Sequence, residues 1–435
     1  MYINQVIIKN IRNLENNDFE FGIPYEGWHV ILGDNGTGKS TLIRSLALAL
    51  IGPNQIPALR LNWKEWLSNG AEFGFIGLII ENDPKYDKQT GGARTLKNKL
   101  IVNRLGFEKE GDKINFAAKE GKHKYWVDPA RYNWGTGSGW FSVAYGPFRR
   151  FTGGNDDWSK TFHSSTKAGA HLSVFGEDVA LTEALTWLRV LEFQRLRATQ
   201  DSKLDASPEK ILNCIKHFLN ESDLLPHGAK FERVDEYPVF IDGNGKEIDV
   251  TQLSDGYRSI LSLCFELIRQ LISTYGVDSV FETILETNTI NLPGVVLIDE
   301  IDAHLHPSWQ ARIGTWFTKH FPKIQFIVTT HSPLICRSVT MEKGSIYRLA
   351  APGSTIASGP ITGIEKEKLI SGSILDAYGT ELFGPEAARN DANNEALERL
   401  GHLNMLSALG QISKKEEEER KHLQLVHSAD APTGF

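Results

Sequence analysis

The chain has 435 residues, is 41% hydrophobic and carries a formal net charge of −7. It is long enough for two or three lobes around a large core, and its acidic balance argues against a global nucleic-acid footprint, leaving only room for a local basic groove. Cys214, Cys264 and Cys336 are widely spaced, which argues against a disulfide framework or a zinc site and fits the cytoplasm; no apolar run is long enough to span a membrane, and Met1–Val6 lacks the features of a signal peptide.

In chain order, Val6–Asn13 and Phe19–Phe21 read as paired strands around a polar turn, leading into an apolar strand at His29–Leu32. Next comes Gly33-x4-Gly38-Lys39-Ser40, followed by a helix at Leu42–Ile51. That order of strand, glycine loop and helix is the context of a phosphate-binding loop. Gly33, Asn35, Gly36, Gly38 and Thr41 complete its phosphate-binding surface. Glycine lets the backbone N–H groups curl around phosphates, Lys39 supplies a charge to the β/γ phosphates, and Ser40 offers Mg²⁺ a hydroxyl.

Further strands are predicted at Glu72–Glu81, Lys99–Val102 and Trp140–Tyr145, the last ending at Gly146-Pro147-Phe148-Arg149-Arg150. Residues 151–177 are polar and rich in Gly and Ser, the pattern of a mobile loop. Helices follow at Asp178–Leu188 and Pro208–Asn220, with Arg195–Asp205 too short for a coiled-coil arm. Tyr237–Val250 reads as a hairpin turning at Asp242–Gly245. Leu253-Ser254-Asp255-Gly256-Tyr257 precedes a long apolar helix at Ile260–Ile272; by itself this is a helix cap and a turn.

Val295–Ile298 is a buried parallel strand that ends in Asp299 and Glu300. Beside a phosphate loop, Asp299 is placed to hold Mg²⁺ through water and Glu300 to polarise the attacking water. Gln325–Thr330 is a second such strand, with His331 at its tip as a γ-phosphate sensor. Gly344–Leu349 closes the core. Glu386–Ser407 and Ser413–Val426 read as charged helices, and the run Lys414–Lys421 fits a solvated face or a docking surface. The final nine residues read as disordered.

The order of phosphate loop, Leu253–Tyr257, Asp-Glu strand and His331 resembles that of the ABC ATPase superfamily, whose Leu-Ser-x-Gly-x signature matches Leu253, Ser254, Asp255 and Gly256. Val6–Asn13 looks like the RecF and SMC branch, and the resemblance places Arg12 and Asn13 near bound nucleotide. Val296–Gln310 with Thr329–Pro333 is similar to the stand-alone ABC ATPases of bacterial defence, including the OLD type. Ala144–Arg150 and Leu375–Phe383 resemble the ATPase subunit of Septu-type and retron-linked anti-phage systems. No glutamine follows the Trp140–Tyr145 strand, where ABC ATPases carry one; Arg149 or Arg150 stands in its place, or the pair is merely a surface feature.

The resemblance implies an α/β fold, an ABC-type P-loop ATPase head with a mixed-sheet lobe, a helical second lobe and a helical C-terminal tail. The expected divisions are 1–150 with the phosphate loop, 151–252 as helical insertion and hairpin, 253–350 with signature, Asp-Glu strand and His switch, and 351–435 as helical extension. It further implies two ATP molecules with Mg²⁺ sandwiched between two copies or within a higher oligomer. Ser254 and Gly256 of one copy then face the γ-phosphate on the other. His304 and His306 have a spacing compatible with metal ligands, but the resemblance assigns them to the loop facing the partner copy. Septu-type systems pair the ATPase with a separate HNH nuclease, and the residues after Arg348 show no acidic nuclease cluster. The chain thus resembles the regulator of a nuclease; the alternative is a RecF/SMC-like repair ATPase acting directly on DNA.

Overall fold

The computed structural model describes residues 1–91, 100–118, 127–149, 166–176, 182–200, 205, 207–340, 342–351, 353–354, 357–372, 391–408 and 412–427. Arg150 and the Leu375–Phe383 stretch lie outside the described residues. The chain divides into two compact units, Met1–Ile361 and Thr362–Phe435.

The strands of the first unit are β1 (Tyr2–Ile11), β2 (Leu14–Glu20), β3 (Gly27–Leu32), β4 (Phe73–Glu81), β5 (Leu100–Glu110), β6 (Lys113–Ala118), β7 (Ser142–Tyr145), β8 (Lys230–Val234), β9 (Pro238–Ile241), β10 (Glu247–Asp249), β11 (Gly294–Ile298), β12 (Ile324–Thr330), β13 (Ser345–Arg348) and β14 (Gly359–Pro360). An antiparallel sheet runs β2-β1-β4-β5-β6, and a second sheet runs β14-β13-β3-β12-β11-β7. In the second sheet the neighbours from β13 to β7 are parallel, and only β14 is antiparallel. A small antiparallel sheet, β10-β9-β8, contains the predicted hairpin.

Every residue of β3, β11 and β12 is buried, as apolar strands covered on both faces require. The phosphate-loop helix, Lys39–Ile51, packs into the same core, with Leu42, Ile43, Leu46 and Leu50 buried beside Ile31, Leu297 and Ile327. Gln325 joins the two large sheets: its side-chain amide donates to Ile3 O (2.8 Å) and accepts from Ile3 N (2.7 Å).

Several predicted elements differ in extent. The strand expected at Lys99–Val102 runs on to Glu110, because β5 pairs with β4 from Leu100↔Glu81 to Glu108↔Phe73 and carries polar Asn103 and Arg104 along with it. The helix expected to stop at Leu188 continues to Gln200, its later turns held by the i,i+3 pair Glu192–Arg195. The loop expected at 151–177 is corrected in its last part. Thr166–Ala170 is a helical turn, and Ala168, Leu172 and Val174 are buried in the core, so the small polar residues around them had masked a packed segment; residues 151–165 lie outside the described residues.

In the second unit, helices Asp391–Ala408 and Lys414–His427 pack together, and Arg399 forms a two-pronged pair with Glu419 (3.0 and 2.9 Å). Arg420 reaches Asn404 across the same helix pair (3.2 Å). Part of the charged run therefore faces a neighbouring helix.

The parallel sheet positions the functional residues. Leu32 pairs with Thr330, and Val328 with Ile298, so β3, β12 and β11 end along one edge. The phosphate loop, His331 and the Asp299–Glu300 turn all leave the sheet there, at the carboxyl ends of parallel strands where such folds bind ligands.

Candidate nucleotide site

The phosphate loop is shaped by its own short segment. Gly36 and Gly38 have φ of +80° and +100°, left-handed values that a side chain would strain. A Cβ on Gly38 would also lie 2.8 Å from Asn13 Nδ2, and that same amide donates to Gly36 O (3.0 Å). The first hairpin is thus docked directly on the loop. Thr37 folds back, its N–H and hydroxyl both donating to Asp34 O. The helix that follows has no acidic residue in its first turn, so its positive end is uncompensated.

Lys39 lies under the loop, donating to Gly33 O (2.7 Å) and Asp34 O (2.8 Å), with His331 Nδ1 at 3.3 Å. Burial pushes its pKa down to about 8, against the attraction of Asp299 and Glu300. Around it is a cavity of about 240 Å³, whose wall includes Asn35, Gly36, Gly38, Ser40 and Thr41, with Glu300 and His331 on another side. Arg12 lines it as well, its guanidinium 4.8 Å above the Trp66 ring. Arg44, one turn along the helix from Ser40, is a wall residue to which no motif pointed. Burial and then the Arg44 charge lower the pKa of Arg12, as expected for two guanidiniums facing one pocket.

The carboxylate turn is built from remote residues. Thr329 Oγ1 donates to Asp299 Oδ1 (2.6 Å) and accepts from Glu300 N (2.8 Å), linking the two acidic residues through the neighbouring strand. Glu300 has a φ of +47°, an uncommon conformation that costs about 1–3 kcal/mol and persists only where its surroundings enforce it. Asp299 is buried, whereas Glu300 is half-exposed at the cavity. Arg149 is also buried, and its guanidinium donates to the carbonyls of Gly146, Asp299, Glu300 and Ile301 and to Ser259 Oγ. The arginine in the glutamine position is therefore committed to four backbone carbonyls and the Ser259 hydroxyl, and a cation there is no metal ligand.

Ser254 caps the signature helix, Asp255–Tyr275, with extended backbone, but its side chain makes no capping hydrogen bond and is exposed. Asp255 pairs with Arg258. Gly256 is required by close approach: a Cβ there would lie 2.7 Å from His304 O. Trp309 Nε1 donates to Tyr257 OH (2.9 Å), so the loop after Glu300 is fastened to the first turn of this helix. His306 accepts from Ser308 N at 3.3 Å as the cap of a short helix, and His304 is exposed.

Among the described residues no cluster of three or more His, Cys, Asp or Glu forms a metal site. Ser40 and Asp299 offer oxygen donors of the kind suited to Mg²⁺, which is commonly held by one or two carboxylates together with substrate phosphates.

Sequence reasoning missed Arg44 and the bridging role of Thr329. Arg44 was findable from its spacing, four residues after Ser40 on one helix face, while Thr329 depends on a strand pairing that the sequence does not display.

A glycine phosphate loop, an acidic pair on the next-but-one strand and a histidine between them, on a parallel sheet, define a P-loop ATPase that binds ATP. The model of the family described as "AAA domain, putative AbiEii toxin, Type IV TA system" matches residues 107–337, more than half of the chain, and a second AAA-domain model matches residues 5–126. The chain belongs to this AAA-domain family, as an ATPase.

It is similar to the retron Vc95 probable ATPase of Vibrio cholerae serotype O1 biovar El Tor, with 38% identity over 33% of this chain and 27% of that protein. It is also similar to the Septu protein PtuA of Bacillus mycoides strain KBAB4, with 25% identity over 78% of this chain and 39% of that protein. The matches thus span well under half the length of either relative. The SMC head domain from Thermotoga maritima aligns over 83% of this chain and 99% of its own, with 11% identity and a TM-score of 0.42. Among the described residues, no helix is long and apolar enough to cross a membrane.

Proposed function

We propose that this ATPase closes as an ATP-sandwiched dimer and that its cycle regulates an HNH-type nuclease partner in anti-phage defence. The observation that carries the dimer is the placement of the signature. Ser254 is exposed at the start of a long helix without a capping bond, and none of Leu253–Gly256 lines the cavity around Lys39. An exposed hydroxyl at the start of a long helix, whose first-turn carboxylate Asp255 is paired with Arg258, suits the phosphates held by another copy. The nuclease partner rests on the similarity to Septu and retron ATPases.

The phosphate loop from Gly33 to Thr41 binds the phosphates, with Lys39 turning from the loop carbonyls to the β/γ oxygens. Ser40 and Asp299 would hold Mg²⁺, which when bound neutralises charge on those oxygens. Glu300 takes a proton from water as its oxygen bonds to the γ-phosphorus, and the bond from that phosphorus to the bridging oxygen of ADP breaks. His331, within reach of Lys39, senses whether the γ-phosphate is present. Arg12 and Arg44 stabilise the nucleotide's negative charge. Hydrolysis opens the dimer and changes what the partner is permitted to cut.

The deciding experiment is affinity purification of the tagged chain expressed from its native locus with its neighbours, followed by mass spectrometry and a DNA-cleavage assay with and without ATP. A stoichiometric nuclease whose cutting changes with ATP supports the proposal. A chain that emerges alone, with an ATPase stimulated by DNA, replaces it with the repair reading.

A further inference from the structure

Arg149 has five N–H donors, and the structure gives all of them acceptors. Nε meets Ser259 Oγ (3.1 Å), Nη1 meets Gly146 O (3.1 Å) and Asp299 O (2.9 Å), and Nη2 meets Glu300 O (3.1 Å) and Ile301 O (3.4 Å). Three successive carbonyls of the carboxylate turn therefore converge on one guanidinium. Aligned carbonyl dipoles repel one another, and a buried cation is what makes their convergence favourable. The same convergence holds Glu300 in its left-handed conformation. Of the two bonds outside the turn, one stays beside Arg149 at Gly146 and the other reaches Ser259, one turn into the signature helix. Burial lowers the Arg149 pKa to about 10, opposed by Asp299, Asp302 and Glu300, so the side chain stays charged at neutral pH.

We propose that Arg149 is a positioning residue: it sets the orientation of the Glu300 carboxylate and ties that orientation to the signature helix, so that engagement of the signature by a second copy is felt at the hydrolytic carboxylate of the same chain. The proposal rests on the reading of Glu300 as the group that activates water. Lysine keeps the charge but cannot span five acceptors, and a displacement of about 1 Å at a reacting group costs on the order of 10²-fold in rate.

The test measures ATP binding, kcat, KM and thermal melting for Arg149→Lys, Ser259→Ala, the double variant and Glu300→Gln in the full chain. Arg149→Lys is expected to lower kcat by about 10- to 100-fold while nucleotide affinity stays within about threefold, since Arg149 does not line the phosphate cavity. Ser259→Ala is expected to lower kcat a few-fold in the wild-type background and to add nothing further when combined with Arg149→Lys. Unchanged kcat in Arg149→Lys overturns the proposal, and so does a parallel fall of kcat, affinity and melting temperature, which marks simple support of the fold. If Arg149→Lys does not fold, Ser259→Ala decides: full turnover sinks the link to the signature helix. Normal turnover in Glu300→Gln removes the base assignment itself. An inactive Glu300→Gln beside a fully active Arg149→Lys removes only the inference about Arg149.

Discussion

The phosphate loop and the carboxylate turn leave the same sheet edge, yet they are held in opposite ways. The loop is almost self-sufficient: two left-handed glycines, the Thr37–Asp34 bonds and the lysine beneath it all come from nearby residues, with Asn13 as the main outside contact. The turn is the reverse. Its conformation depends on Arg149 from the loop after β7, Thr329 from β12, and the signature helix, which meets it by close approach at Gly256 and a hydrogen bond at Tyr257. A self-contained loop can recognise phosphate whatever the rest of the molecule does. On the role proposed for Glu300, a turn held from elsewhere would make hydrolysis conditional on the elements that hold it.

That contrast is broken most directly at Glu300. Glu300→Gln is expected to reduce kcat by about 10²- to 10⁴-fold while ATP still binds and the protein accumulates as a closed dimer, measured by steady-state turnover and light scattering. Unchanged turnover would refute the role. Lys39→Ala should act on the other side of the contrast, weakening ATP binding by about 10- to 100-fold in calorimetry through the loss of charge-assisted bonds of about 1.5–3 kcal/mol.

Thr329→Val keeps the shape but leaves Asp299 Oδ1 and Glu300 N without their bridge. We expect about a tenfold fall in kcat with ATP affinity nearly intact, together with a lower melting temperature. Equal losses in affinity and turnover would mean that the turn and the loop are one unit after all.

The smallest effect concerns pH. The Lys39 pKa falls to about 8 in the folded chain from its ordinary 10.5, so the folded state releases its proton first as pH rises. Between those values this group makes the fold more stable with rising pH, because the unfolded chain binds the extra proton. ATP affinity moves the other way, since a neutral amine attracts phosphate poorly, and it should weaken by at most about tenfold per pH unit above about 8. Lys39→Arg, which stays charged, should flatten that profile in a fluorescent-nucleotide titration.

The same division explains what could be read in advance. Gly33–Thr41 announces itself because glycine, lysine and a hydroxyl residue at fixed offsets do one local job. The apolar runs of β3, β11 and β12 were equally plain, since strands buried on both faces cannot carry many polar residues. Arg149 drew notice only as a departure from a glutamine, and nothing in the sequence indicates which carbonyls it meets. Thr329 reads as an ordinary β-branched strand residue until β12 is set beside β11. The packed turns at 166–176 were concealed by small polar residues that share the composition of loops.

The Gln325–Ile3 staple and the strand order of the parallel sheet also bear on how the chain is made. The antiparallel sheet needs nothing beyond Ala118, so it can form early in synthesis from neighbouring segments. β3 must wait, because its two partners, β12 and β13, come roughly three hundred residues later in the chain. At about 5–20 residues per second, that delay leaves a wholly buried-type strand unpaired for tens of seconds on the ribosome. The central strand of the parallel sheet therefore stays without its partners through most of synthesis, and the candidate nucleotide site cannot assemble until β12 has emerged.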